Sequence, residues 1–68
     1  MAKYYVNNNS QANGDYEVHK DDCLYLSIIV SKEDLGFYDN CFSAVRKAKT
    51  IHPNSNGCYH CCNICHTS

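Results

Sequence analysis

The segment GCYHCCNICH, Gly57 to His66, sets four cysteines and two histidines within ten residues. Thiols and imidazoles at this density serve three chemistries: disulfide bonding, covalent haem attachment through C-x-x-C-H, and metal coordination by a C-x-x-C knuckle. A second pair, His19 and Cys23, stands well upstream with three residues between its members. Together with Cys58 and Cys61 it makes two paired knuckles, the arrangement from which zinc takes four tetrahedral nitrogen and sulfur ligands. Soft thiolates with one imidazole suit zinc. His19, Cys23, Cys58 and Cys61 are therefore the expected ligands, and zinc the expected cofactor.

The register of the second knuckle has competitors. Cys62 and Cys65 have the same spacing one step further on, and His60 and His66 are further donors. Cys58 and Cys61 are preferred because Gly57, just before them, permits the tight entry that a metal knuckle needs. Cys41 is then a small buried hydrophobe. Cys62, Cys65 and His66 are left as neighbours of the site, as a redox-sensitive thiol pair, or as packing. The haem reading has CNICH, Cys62 to His66, in its favour. Against it stand a single Met, at the start of the chain, and few apolar residues to enclose a macrocycle. No catalytic set is assigned. The acidic pairs Asp21/Asp22 and Glu33/Asp34 read as solvated turns, and His52, His60 or His66 beside a cysteine is more simply a ligand than a general base.

A chain of 68 residues with two Phe and no Trp can bury little. At this size a core alone supplies about 3–5 kcal/mol, so a staple is needed, and metal binding becomes folding free energy. MAKYYVNNNSQANG carries no apolar run of the kind that directs export, and SIIV at 27–30 is far too short to span a membrane. A cytoplasmic protein with reduced thiols is expected, monomeric and away from membranes. Seven acidic and six basic side chains give a net charge of -1. That balance offers no electrostatic footprint for nucleic acid, and RKAK at 46–49 reads as a solvated face.

Three elements must position the ligands. KYYVN and DYEVH alternate apolar with polar residues around a turn-forming NNSQANG, which predicts an N-terminal β-hairpin with a small antiparallel sheet. Its far end delivers His19 into HKDDC, a reversal that brings His19 towards Cys23. LYLSIIV, SKED and LGFYDN are ambiguous, with SKED read as a turn. Asp39 or Asn40 caps a main helix of about 40–52, whose stripe is Cys41, Ala44, Val45 and Ala48 and whose end is Pro53. HPNSNG then reads as a loop.

The order HKDDC, FYDNCFSAV and C-x-x-C resembles the metal-binding domain of the Ada DNA-repair family. There, two ligands spaced by three precede a helix bearing Phe-Tyr, Asn and an Ala-hydrophobic pair, followed by a C-x-x-C pair. The residues carrying the resemblance are His19, Cys23, Phe37, Tyr38, Asn40, Ala44, Val45, Cys58 and Cys61, across most of the chain. It implies a zinc-binding fold, a DNA partner and a zinc-bound first cysteine that accepts a methyl group from a DNA phosphotriester. His19 stands at that first position, and an imidazole has no thiolate to methylate.

The expectation is a single small α+β domain over 1–68, stapled by zinc. Its expected role is an interaction module for protein or nucleic acid, without catalysis. The alternatives are an Ada-like methyl acceptor using Cys23, Cys58 or Cys61, and a thiol redox or metal-handling protein.

Overall fold

The computed structural model describes residues 1–67; Ser68, the last residue of the domain read as 1–68, lies outside them. The hairpin forms as its alternation dictates. Strands β1 (Ala2–Asn7) and β2 (Tyr16–Lys20) pair antiparallel, with Val6 opposite Val18 and Tyr5 opposite His19. Gln11 donates its N–H to the Asp15 carbonyl at 2.8 Å, and Gly14 takes φ 91°, which the turn requires and only glycine adopts freely. Side chains alternate across a strand. Tyr4, Val6 and Val18 therefore share one face and are buried there, while Glu17 and His19 point to the other.

The ambiguous middle resolves into a 3-10 helix, Leu24–Ile28, and a strand β3, Lys32–Tyr38, antiparallel to β1. Lys32 to Asp34 of SKED, expected as a turn, thus open a strand. β3 lies at the sheet edge, where one strand neighbour and one buried residue, Leu35, are enough to hold it, so Lys32, Glu33 and Asp34 stay in water. Charge on an edge also discourages pairing with another chain. A bulge between Tyr4 and Tyr5 accommodates Gly36 at φ 98°, whose N–H donates to the Asp34 carboxylate at 2.9 Å.

Helix α1 covers Cys41–Ala48, with Asn40 accepting the Ser43 N–H at 3.0 Å as its cap. Cys41, Ala44 and Ala48 form the buried stripe. The helix ends short of the expected position in a tightened last turn of mixed i−3 and i−4 bonds. Thr50 donates its hydroxyl to the Lys47 carbonyl, and both Ile51 and His52 donate to that of Ala48. Pro53 disfavours a helical His52, whose ring instead stacks on Tyr16 at 4.1 Å between centroids.

HPNSNG, expected as a loop, contains a fourth strand. Strand β4 (Ser55–Gly57) runs parallel to β2, so the sheet is mixed, in the order β3-β1-β2-β4, and not wholly antiparallel. Asn56 fixes this short strand. Its amide donates to Asp15 at 3.2 Å, and its carbonyl accepts the Gly57 N–H at 2.9 Å and the Thr67 N–H at 3.1 Å. No helix of the described residues is long and apolar enough to cross a membrane.

The expectation that the thiols are all reduced is corrected. Cys41, at the start of α1, is disulfide-bonded to Cys65 in the C-terminal 3-10 turn (Asn63–Cys65), across 6.4 Å between Cα atoms. Both half-cystines join the cluster of Tyr4, Val6, Val18, Leu35, Ala44 and Ala48. Cys41 is buried as its helical stripe requires, but covalent bonding to a partner distant in sequence is invisible to that periodicity.

Candidate metal centre

Three pieces of backbone deliver the four expected ligands. The end of β2 supplies His19, and a turn in which Cys23 donates its N–H to the Lys20 carbonyl at 3.1 Å brings Cys23 back beside it. Cys58 follows β4 directly and is pinned to β2 by an N–H bond to the Val18 carbonyl at 2.9 Å. A further turn, closed by Cys62 N–H on the Cys58 carbonyl, carries Cys61 to the same place. One ligand atom each of His19, Cys23, Cys58 and Cys61 lies within 4.8 Å of every other.

The spacing fits a tetrahedral ion. Zinc with Zn–S of about 2.3 Å and Zn–N of about 2.0–2.1 Å implies edges of about 3.8 Å between sulfurs and about 3.6 Å between sulfur and nitrogen. His19 Nδ1 is 3.5 Å from Cys23 Sγ and 4.0 Å from Cys61 Sγ. Those short approaches make Nδ1 the atom that would ligate an ion held here. The other ring nitrogen, Nε2, faces Glu17 Oε1 at 3.7 Å, and the His19 side chain is only 2% exposed. A carboxylate behind a ligating imidazole selects the tautomer and holds the ring. Glu17 escaped the sequence reading, although two residues before His19 on a strand is the same face, a signal that was available.

Burial sets the protonation state of the four side chains. Burial pushes the Cys23 and Cys58 thiols up, Cys58 to about 12, and lowers His19 below the usual imidazole value. Cys61 is raised chiefly by its hydrogen bond with Cys62, 3.7 Å away, and then by burial; the same bond lowers Cys62. Without an ion this is a cluster of neutral thiols around a neutral imidazole. A divalent cation reverses the balance, because a coordinated thiol gives up its proton. The Lys20 N–H donates to Cys61 Sγ at 3.3 Å and is placed to stabilise a thiolate there.

The competing donors are placed elsewhere. Cys65 is consumed by the disulfide, which also removes one of the two thiols that haem attachment through CNICH would need. His66 holds Nδ1 against the Gly57 carbonyl at 3.1 Å. His60 packs its ring against Tyr25 at 4.6 Å and Tyr59 at 5.6 Å. Cys62 is buried in the core and its sulfur neighbours Cys61. Gly57 has an ordinary negative φ region, so its contribution is room: a Cβ there would stand 2.7 Å from both the Cys62 carbonyl oxygen and Cys65 Cβ.

No protein family, curated protein or solved structure matches this chain.

Proposed function

We propose that this protein is a small interaction module whose fold is stapled by one zinc ion held by His19, Cys23, Cys58 and Cys61. The observation that carries this reading is the convergence of four ligand atoms within 4.8 Å from segments that are separate in sequence. Four protein ligands close a tetrahedron and leave no position for substrate, which is the pattern of a structural rather than a catalytic ion. A working surface is more readily found for a protein partner than for nucleic acid. Leu24, Ile28 and Val30 are 88%, 73% and 95% exposed in one segment, whereas the net charge is -1. The chain acts in this reading as a monomer.

A reducing cytoplasm would keep the ligand thiols available to metal and would open Cys41–Cys65, leaving the ion as the remaining staple. The Ada-like methyl-acceptor role is the lesser reading: Cys61 is the most accessible ligand, yet its sulfur already faces the Lys20 N–H and Cys62. Elemental analysis of the purified protein tests the proposal, with one zinc per chain expected and cooperative unfolding on chelation. A metal-free protein with unchanged thermal stability would overturn it. A gain of one methyl mass on a cysteine after incubation with phosphate-methylated DNA would replace the interaction role by the repair role.

A further inference from the structure

We propose that the cavity on the sheet face opposite α1 binds a methylated ammonium group carried on an aliphatic stem. Its volume of about 460 Å³ falls within the roughly 300–1,000 Å³ of small-ligand sites and exceeds what a lone cationic head needs. Glu17 and His19 form part of its floor, because they alternate away from Val18 and the core. Tyr25, Tyr59 and His60 line it with aromatic rings, and Ile28 and Ile29 supply an aliphatic wall.

The charge of the cavity selects the ligand. Among the described residues no Lys or Arg lines it, and Glu17, whose side chain is only 17% exposed, is its one carboxylate. Ring faces and a carboxylate together attract cations and repel anions. Hydrogen-bonding capacity then chooses among cations. Glu17 already faces the His19 ring nitrogen, and the Asn7 side-chain oxygen already accepts the Asn9 N–H at 2.9 Å, which leaves the neutral amides of Asn9 and Gln11 as the other side-chain amide acceptors among the lining residues. A guanidinium brings five N–H donors and a bare ammonium three, all of which need acceptors once desolvated. A fully methylated ammonium brings none, and it gains from ring faces and net charge alone. The cavity attracts cations without a metal ion, although zinc with three thiolates and a neutral imidazole would add one further negative charge beside it.

The test is an NMR titration of the full-length chain, as isolated, with tetramethylammonium, choline and the uncharged isostere 3,3-dimethylbutan-1-ol. Peptides bearing trimethyllysine or unmodified lysine form a second arm. The expected result is saturable shifts of the Tyr25, Tyr59 and His60 resonances, with choline at least about tenfold tighter than its neutral isostere. Tyr25→Leu and Tyr59→Leu each weaken binding by about tenfold while the remaining spectrum is preserved. Choline binding alone identifies a free amine as the source of the cation, and tighter binding of the trimethyllysine peptide identifies a modified side chain. Absence of saturable shifts at millimolar ligand in a folded protein, equal binding of the uncharged isostere, or indifference to both leucine substitutions overturns the proposal. Because metal content is measured separately, a zinc-loaded protein that ignores these cations refutes the cavity reading alone, and a zinc-free protein that binds them refutes the metal reading alone.

Discussion

Cys61 and Cys62 are neighbours in the chain with sulfurs 3.7 Å apart, but their surroundings divide the work. Cys61 shares the ligand cluster with His19, while Cys62 is 2% exposed among apolar side chains. Cys58→Ser and Cys61→Ser are expected to release zinc, forfeiting a large share of the roughly 10–16 kcal/mol that structural zinc contributes in small peptides. Cys62→Ser should cost about 1–3 kcal/mol through a buried hydroxyl and keep the ion. Elemental analysis of the three variants decides, and retention of zinc by Cys58→Ser with loss in Cys62→Ser would move the centre by one register. His19 sets a pH limit on the same site. Burial lowers its folded-state value, so between that value and the ordinary 6.5 the unfolded chain binds more protons than the folded one. Its contribution is complete above pH 6.5 and is lost as the pH falls through that interval. The melting temperature should hold steady near neutrality and decline below about pH 6.5, in the direction that ligand protonation by itself also imposes. At this scale spacing picked out the two pairs whose side chains converge. It could not show that Cys65 is taken by Cys41, since a disulfide partner is a fact of tertiary distance.

Among the elements, β4 has only three residues, yet all three are buried and it sets the direction of Cys58. Its sequence, Ser-Asn-Gly, has the composition of a loop, and local propensity accordingly points away from a strand. What makes it a strand is the parallel neighbour β2, together with the Asn56 hydrogen bonds to Asp15, Gly57 and Thr67. β3 was obscured for a related reason: as an edge strand it displays charges where a central strand would show alternation. The hairpin and α1 were legible because each buries one periodic face by itself. Gly57→Ala tests the importance of β4. The new methyl would meet backbone at 2.7 Å, and overpacking of that kind costs about 1–3 kcal/mol. Thermal unfolding should show a loss of this order together with weaker zinc retention, since Cys58 is the next residue. Unchanged melting and metal affinity would mean that the segment relaxes freely and does not fix the ligand.

Across the whole molecule the disulfide and the proposed metal centre interlock. The disulfide joins residues 24 apart, and the loop it closes contains Cys58 and Cys61, whereas their partners His19 and Cys23 lie outside that loop. A loop of this length is worth about 3–4 kcal/mol by the chain-entropy argument. Reduction should therefore lower stability by about that amount and leave zinc in place, as calorimetry with parallel metal analysis under dithiothreitol would show. Loss of the ion on reduction would mean that the disulfide, rather than the sheet, holds the C-terminal ligands. The same interlocking governs what a protease can accomplish. Lys49 and Thr50 are exposed just beyond α1, and a tryptic cut between them divides the backbone inside the disulfide loop. The two pieces stay joined by Cys41–Cys65 and, where the proposed ion is bound, by its four ligands across the sheet, so one nick of the metal-loaded protein should yield a two-chain species that migrates as one until both reductant and chelator are added.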